Sequence, residues 1–432
     1  MTIPGARAFR SLRNHNYRLW AGGALVSNIG TWMQRMAQDW LVLTQLTHHS
    51  AAAVGVVMAL QFGPQLLFLP WTGFAADHFN QRRMLIATQA AMGVLALALG
   101  VLTISGAAQL WHVYVFAFLS GTAASFAAPV RQTFVAELVG NADLANAIAL
   151  NSTSFNAARM VGPAVAGLLI AAVGTGWAFL LNGASFWAVL VSLCLLRVSE
   201  LRPNARAHRA KGSLLGGVRY AWTRPDLKSI LAMLFIVGTF GLNFPIFIST
   251  MAVGVFHADA RGFGLLSSIM AVGTLSGAFI AAGRSRIGFE SLLIGSVVFG
   301  MGCTLAAFAP SYSLFAAALV VIGVAALTLT NASNTLMQLS TEPAMRGRVM
   351  ALRVGIALGG TPIGAPIVGW FADRFGPRWA LGIGAAAGYA AAAVGARYLL
   401  RKPGIPRRGP GGTVVIAQRN RLPSHQPPDL SA

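Results

Sequence analysis

The sequence predicts an all-α membrane protein with twelve transmembrane helices in two pseudo-symmetric six-helix bundles. The first reason is composition, because 56% of the 432 residues are hydrophobic and 10% are charged, whereas a soluble domain has about 25% charged residues. The second reason is that the apolar runs reach the ~20 residues that are needed to cross a bilayer. The third reason is that the second half of the chain repeats features of the first.

Long apolar runs divide the chain into twelve hydrophobic segments, which we number 1 to 12. Segments 1–6 form an N-terminal bundle over residues 18–197, and segments 7–12 form a C-terminal bundle over 229–400. A tail (1–17) precedes them, a basic linker (198–228) joins them, and a tail (401–432) rich in Pro, Gly and Arg follows. We expect this last tail to be disordered. The expected segments are 18–46, 51–75, 84–105, 110–130, 145–173, 177–197, 229–256, 262–283, 289–309, 312–338, 348–371 and 378–400.

A spacing that both halves share supports the two bundles. Gly162 and Trp177 in segments 5 and 6 correspond to Gly364 and Trp379 in segments 11 and 12 at one constant offset. A parallel repeat about the membrane normal is typical of transporters that rock one half against the other around a central site. The repeat therefore favours a mechanism of alternating access.

Basic residues predict the orientation. Most Lys and Arg residues lie in the tails and in the loops that follow even-numbered segments, whereas the opposite side has Arg261, Arg374 and Arg378. By the positive-inside rule, both termini are expected to be cytoplasmic. The net charge of +21 does not indicate a nucleic-acid partner, because the basic residues alternate with hydrophobic runs.

A charged turn separates segments 2 and 3. It reads Gly73-Phe-Ala-Ala-Asp77-His-Phe-Asn-Gln-Arg82-Arg83, and the sequence on either side has almost no charge. Two interpretations are open. The arginines of a hydrophilic turn could hold the topology, or the turn could be a gate, meaning a contact between the halves that breaks as the protein changes state.

The turn resembles the motif G-x-x-x-D-R-x-G-R-R of the major facilitator superfamily, although His78 and Asn80 replace the usual Arg and Gly. The stretches 129–138 (P-V-R-Q-x-F-x-x-E-L) and 155–163 (F-N-x-A-R-x-x-G-P) resemble its bacterial drug/proton antiporter branch, which includes the enterobactin exporter and macrolide efflux pumps. The resemblance covers about residues 10–400. It implies a proton-coupled exporter of a drug, siderophore or similar small organic molecule in the cytoplasmic (inner) membrane of a bacterium.

Three of the charged residues inside hydrophobic segments are candidates for proton coupling. Arg35 and Asp39 in segment 1 are one helical turn apart and can pair, and Arg159 lies near the middle of segment 5. Because a charge in hydrocarbon is costly unless it is paired or hydrated, these residues should face the bundle interior. Asp39 could exchange a proton under the influence of Arg35, or the two could form a static pair. Arg159 could attract an anionic substrate, pair with Asp39 or fix the packing through backbone carbonyls.

The expected gate joins the two halves on the side of the termini. Segment 11 begins there, so Asp77 can face a helix N-terminus, which favours an anion. The turn after segment 8, at 283–288, has no acid, so we expect one half alone to carry the full gate. The stretch 162–167 looks like the antiporter motif of proton-driven exporters, and its glycines permit close helix contact. The expected gating residues are Gly73, Asp77, Arg82, Arg83, Arg346, Arg348, Gly162, Pro163 and Gly167.

The resemblance also implies that segments 1, 4, 7 and 10 line the substrate cavity. An apolar cavity with scattered amides suits a sizeable amphipathic ligand, although the same polar residues could equally bond neighbouring helices. The candidate cavity residues are Asn28, Trp32, Gln38, Phe116, Phe126, Asn243, Phe244, Asn331, Asn334 and Gln338.

The sequence contains no signature of an enzyme. No G-x-x-x-x-G-K-[ST] loop for nucleotide phosphates occurs, and Cys194 and Cys303 lie in separate apolar segments without metal-ligand spacing. We expect no cofactor and no metal. The expected partners are a small-molecule substrate, protons and the lipid bilayer, and the expected state is a monomer. The alternatives are a nutrient importer or uniporter on the same fold, and a non-transporting membrane sensor.

Overall fold

The computed structural model describes residues 9–140, 142–202, 214–282 and 288–401. These ranges are helical and contain no β-strand. Residues 203–213 of the expected linker and 402–432 of the expected C-terminal tail lie outside them. The helices are α1 (His15–Leu41), α2 (Ala51–Leu67), α3 (Leu69–His78), α4 (Gln81–Ile104), α5 (Leu110–Val139), α6 (Leu144–Val173), α7 (Thr175–Cys194), α8 (Leu214–Thr223), α9 (Pro225–Ile236), α10 (Phe244–Gly254), α11 (Ala260–Ala282), α12 (Phe289–Ala307), α13 (Tyr312–Ser340), α14 (Pro343–Phe375) and α15 (Pro377–Arg401).

Each predicted segment corresponds to one helix or to a pair of consecutive helices. In the described ranges, 10 spans are long and apolar enough to cross a membrane, with α9 and α10 counted as one, and the bent pair of α2 and α3 makes up to 11. Helix α1 has 27 residues, but Arg18, Arg35, Asp39 and several amides make it more polar than a typical span. The all-α membrane fold is confirmed, whereas the number twelve stays a prediction that depends on α1.

Local sequence determines several helix ends. The side chains of Ser50 and Asn80 accept hydrogen bonds from the backbone N–H groups of Ala53 and Arg83, at 3.2 and 3.0 Å, and so cap α2 and α4. Helix α6 ends at Gly174, whose φ of 95° is a conformation that glycine adopts without steric cost.

Segment 2 is bent between α2 and α3. The two helices meet at an angle of 57°, with Phe68 between them. Pro64 in α2 and Pro70 at the start of α3 each remove a backbone donor, and this loss permits a bend. Helix α3 packs against α5, so its own half supports the end of segment 2 that carries the charged turn.

The two halves contact each other mainly through two pairs of helices. Helices α1–α7 pack together, as do α9–α15, and the main contacts between these groups join α2 to α14 and α6 to α11. A Cβ atom on Gly55 would lie 2.4 Å from the carbonyl oxygen of Ala365, and one on Gly264 would lie 2.4 Å from that of Pro163. The absence of a side chain at these two glycines therefore allows the backbones to touch.

Both glycine contacts lie in the part of the bundle that is farther from the chain termini. Helices α2 and α11 begin on this side, and α6 and α14 end there. We call this side the far face and the opposite side the terminus face. The two halves are in backbone contact near the far face.

A short helix that was not predicted lies at the end of the linker. Helix α8 packs against α14, and a Cβ atom on Gly217 would lie 2.9 Å from the Cβ of Arg348. The next helix, α9, begins at Pro225, a residue type favoured in the first helical turn. The expected loop over 198–228 therefore contains ordered helix next to the start of segment 11.

Candidate functional site

A cavity of about 440 Å³ lies between the two halves. The N-terminal half contributes its charged residues, Arg35, Asp39 and Arg159, together with apolar and aromatic side chains. The C-terminal half contributes apolar residues and hydroxyl groups, among them Phe244 and Thr330. An apolar pocket with a few polar groups in one region is typical of a site for an organic ligand.

The two arginines of the cavity meet at Trp32. The guanidinium carbon of Arg35 lies 4.9 Å from the centroid of the Trp32 ring, and that of Arg159 lies 5.5 Å from it. Arg35 also lies 5.4 Å from the ring centroid of Phe62. Contact with aromatic faces offsets part of the cost of removing a cation from water, so the helix packing holds two positive groups against one ring in the cavity wall.

Arg35 retains an unused hydrogen-bond donor. Its Nε atom is buried and has no hydrogen-bond partner in the described chain. Asp39 is 8% exposed, and no ion pair of 4.0 Å or less joins it to Arg35 or Arg159. An unpartnered buried donor is costly, so a hydrogen bond from Arg35 to a ligand or to water would be favourable. Asp39, which no close ion pair holds, can accept a proton.

The candidate cavity residues lie in several environments. Trp32 and Phe244 line the cavity. Asn28 accepts a hydrogen bond from Arg131 at 3.2 Å, and Asn243 donates one to the carbonyl of Thr239 at 2.7 Å. The ring centroids of Phe126 and Phe68 are 6.0 Å apart, and Phe116 packs against the apolar core. The remaining candidates differ in exposure: Gln38 is buried, Asn331 and Asn334 are half-buried, and Gln338 is exposed.

The candidate gating residues on the terminus face lie at the ends of helices. Gly73 lies in α3, as does the backbone of Asp77, whose side chain is outside the described part of the structure. Arg82 donates to the carbonyl of Leu193 at 2.7 Å and contacts that of Cys194 at 3.5 Å, both at the end of α7. Arg83 and Arg346 are exposed, and Arg348 is half-buried.

The candidate gating residues of segment 5 lie where three helices meet. A Cβ atom on Gly162 would lie 2.6 Å from the Cβ of Trp32 in α1. One on Gly167 would lie 2.6 Å from the carbonyl oxygen of Ala260 at the start of α11. Pro163 lines the cavity. This stretch therefore joins the cavity wall to the contact between the halves.

Asp373, which the sequence analysis did not single out, joins the two halves at the far face. Its carboxylate accepts hydrogen bonds from the backbone N–H groups of Ala51 (2.6 Å) and Ala52 (3.0 Å) and from the hydroxyl of Ser50 (2.8 Å). A negative charge at a helix N-terminus is stabilising. Asp373 is near the end of α14, so one residue of the C-terminal half caps α2 of the N-terminal half.

An all-helical membrane chain with two halves around a shared cavity has the fold of a major facilitator superfamily transporter. A family model described as a transmembrane secretion effector matches residues 6–405, and the chain belongs to this family. It is therefore a transporter and not an enzyme. The resemblance stated from the charged turn is confirmed.

Curated relatives support this membership along most of the chain. The protein is 26% identical over 368 residues to the multidrug efflux pump Tap of Mycolicibacterium fortuitum, which covers 82% of this chain and 88% of Tap. It is 23% identical over 354 residues to the staphyloferrin A transporter of Staphylococcus aureus (81% and 87%). It is 24% identical over 330 residues to the enterobactin exporter EntS of Escherichia coli O139:H28 (76% and 79%).

Solved structures support the fold. A bacterial homologue of the human lysosomal transporter Spinster, in an inward-facing and unoccupied conformation, has a TM-score of 0.71 at 15% identity and covers 94% of this chain and 100% of that chain. The nucleoside transporter NupG has a TM-score of 0.70 at 12% identity, with 89% and 99% covered. At these levels of sequence identity the likeness shows a shared fold and gives no information about the substrate.

Proposed function

We propose that this protein exports a small organic molecule in exchange for protons, by alternating access to the cavity between its halves. One observation carries the proposal: the cavity holds a buried carboxylate, Asp39, beside two cationic groups that it does not pair with. A relative is named as a multidrug efflux pump and another as an enterobactin exporter. These names support export as the direction.

The proposed orientation places both termini in the cytoplasm of a bacterium. The described residues next to the tails and the linker, among them Arg10, Arg224 and Arg401, lie on the terminus face, as the positive-inside rule requires for the cytoplasmic side. The far face is then the outer side of the cytoplasmic membrane. Since the halves touch near that face, we assign the structure to a state of the proposed cycle in which the outer side is closed.

Asp39 is the proposed proton carrier, and Arg35 and Arg159 are its proposed regulators. A carboxylate in a site of low polarity changes its proton affinity when the hydration or the nearby charges change. Closing one face and opening the other changes both. In this proposal a donor group of the substrate binds the ionised carboxylate of Asp39, and on the outward-facing protein a proton from outside takes its place and releases the substrate.

The proposed substrate has an apolar or aromatic body with acceptor oxygen atoms. Phe62, Phe244 and Phe263 offer apolar surface, and the two arginines offer donors. Two guanidinium groups against one carboxylate leave the lining with one net positive charge when all three are ionised. This charge disfavours a cationic substrate, because a like charge in a site of low dielectric is repelled.

The proposed moving units are the two bundles, 18–197 and 229–400, joined by the linker 198–228. The charged turn with Gly73, Asp77, Arg82 and Arg83 is proposed to meet the start of α14, near Arg346 and Arg348, when the terminus face closes. The contact of α6 with α11, at Gly162, Pro163 and Gly167, is proposed to slide between the two states. We propose that one chain suffices, because a single chain contains the cavity.

Transport into everted membrane vesicles tests the direction. With an acidic lumen, vesicles that contain the protein are expected to accumulate at least one compound of a panel of dyes, antibiotics and metal-chelating metabolites. Vesicles without the protein, and vesicles treated with a protonophore, provide the controls. Loss of a preloaded compound under the same gradient would instead indicate an importer, and no flux of any compound would favour a membrane sensor.

A further inference from the structure

The hydrogen bonds of Asp373 are part of a longer sequence pattern at the far face. The stretch Gly369-Trp-Phe-Ala-Asp373-Arg-Phe-Gly-Pro-Arg378 repeats the charged turn between segments 2 and 3. The two stretches share Gly, Ala, Asp, Phe and Arg at matching positions. The turn after segment 8 lacks the acid and is therefore not a full copy of this pattern. The second full copy lies at the end of segment 11, on the opposite face of the protein.

The arginine that matches between the two copies, Arg82 in the first and Arg378 in the second, makes the same kind of contact in both. Arg82 bonds to the final carbonyls of α7 in the N-terminal half. Arg378 donates to the carbonyls of Ala307 (2.7 Å) and Ala309 (3.3 Å), at the end of α12 in the C-terminal half. A cation is stabilised at a helix C-terminus. Each arginine thus holds its turn to its own half, and in the second copy this leaves Asp373 able to reach across to α2.

We infer that Asp373 is the gating residue of the far face and the counterpart of Asp77 on the terminus face. In this structure Asp373 caps α2, and α2 touches α14 at Gly55 and Gly369. When the far face opens, Asp373 leaves α2, and Asp77 binds the N-terminus of α14 in the same manner. This inference rests on the proposed alternating access.

The two contacts exclude each other because they use opposite ends of the same two segments. Segment 2 has its N-terminus at the far face and Asp77 at the terminus face. Segment 11 has Asp373 at the far face and its N-terminus at the terminus face. The 57° bend between α2 and α3, together with the packing of α3 on α5, leaves α2 against α14 while α3 is held by its own half. Rocking the halves exchanges one contact for the other.

Distances between spin labels test the inference without a substrate or a proton gradient. One pair of labels at Ala107 and Phe308 reports on the far face, and a second pair at Leu195 and Leu339 reports on the terminus face; all four positions are exposed. The full chain carries Cys194→Ser and Cys303→Ala and is studied in lipid nanodiscs by pulsed electron spin resonance. The wild type is expected to populate mainly the short far-face distance.

Asp373→Asn is expected to raise the population with a long far-face distance roughly two- to tenfold, because the charge at the helix N-terminus is lost. Asp77→Asn is expected to shift both pairs in the opposite direction and to impair transport while expression and topology are retained. Opposite shifts cannot result from general destabilisation.

Asp259→Asn is the matched control. Asp259 accepts a hydrogen bond from the N–H of Gly262 at 2.9 Å, within its own half, so its variant should leave both distance distributions unchanged. Unchanged distances in Asp373→Asn, or equal shifts in Asp373→Asn and Asp259→Asn, would overturn the inference. Because the measurement needs no transport, its failure would leave the export proposal standing, and a failure of export in vesicles would leave these shifts intact.

Discussion

Gly55→Leu is expected to hold the far face open and to abolish transport. The α-carbon of Gly55 faces the carbonyl of Ala365, and even a Cβ atom would lie 2.4 Å from that oxygen. Both groups are backbone and cannot move aside as a side chain would. Overpacking of this kind costs ~1–3 kcal/mol, which alone shifts a two-state population by about 5- to 150-fold.

The measurement is the labelling of a cysteine in the cavity by a membrane-impermeant maleimide. Ser267 lines the cavity on α11, and Ser267→Cys is expected to react slowly in intact cells and rapidly when Gly55→Leu is added. Gly63→Leu is the control, because Gly63 lies in the same helix and has no atom within 4 Å of its Cβ position. Equal labelling of both double variants, or no gain with Gly55→Leu, would refute the role of the α2–α14 contact in closing the far face.

Asp39→Asn is expected to remove uphill transport and to retain downhill exchange. Asparagine keeps the shape of the side chain and cannot bind or release a proton. A proton that crosses a potential of 100 mV supplies about 2.3 kcal/mol, enough for ~50-fold accumulation at a stoichiometry of one. Without a proton carrier the gradient cannot drive accumulation, whereas the cavity can still move substrate between the two faces.

Everted vesicles measure both activities with a compound that the transport panel identifies. Accumulation under an imposed gradient should fall to the level of vesicles without protein, and exchange of labelled for unlabelled compound at equal concentrations should persist. Asp259→Asn removes an acid outside the cavity and is expected to retain both activities. Normal accumulation by Asp39→Asn would exclude this residue as the proton carrier, and loss of exchange as well would indicate a structural role.

The sequence was sufficient to predict the helices because hydrocarbon imposes a strict condition on them. Backbone groups in hydrocarbon must form their hydrogen bonds within the segment, so a segment that crosses the bilayer is a helix. A long apolar run therefore predicts a spanning helix directly. The predicted 312–338 is the helix Tyr312–Ser340, and the predicted 145–173 is Leu144–Val173. The linker helix α8 was not predicted, since it is short and its packing surface is the start of α14.

The bend in segment 2 was harder to predict, because Pro64 and Pro70 permit a bend without determining its angle. The angle of 57° depends on the packing of α3 against α5. For the same reason, the sequence alone did not show which polar residues face the cavity. Asn243 has a residue type suited to a ligand site, yet it donates to Thr239 within its own segment.

A sequence pattern around Asp373 could have indicated its contact with α2. Gly369, Asp373 and Arg378 have the same spacing as Gly73, Asp77 and Arg82. A parallel repeat relates the turn after segment 2 to the turn after segment 8, which has no acid, and not to the end of segment 11. An acid at the end of segment 11 becomes meaningful once the structure shows that its carboxylate meets the N-terminus of a helix 322 residues away in the chain.

Proton release from everted vesicles tests the central claim most directly. Vesicles with an acidic lumen and a pH-sensitive dye receive a compound that the protein accumulates. Proton-coupled export through Asp39 predicts that the compound makes the lumen more alkaline in vesicles with the wild type, and that it does not in vesicles with Asp39→Asn. Accumulation of the compound by the wild type without any movement of protons would contradict the account.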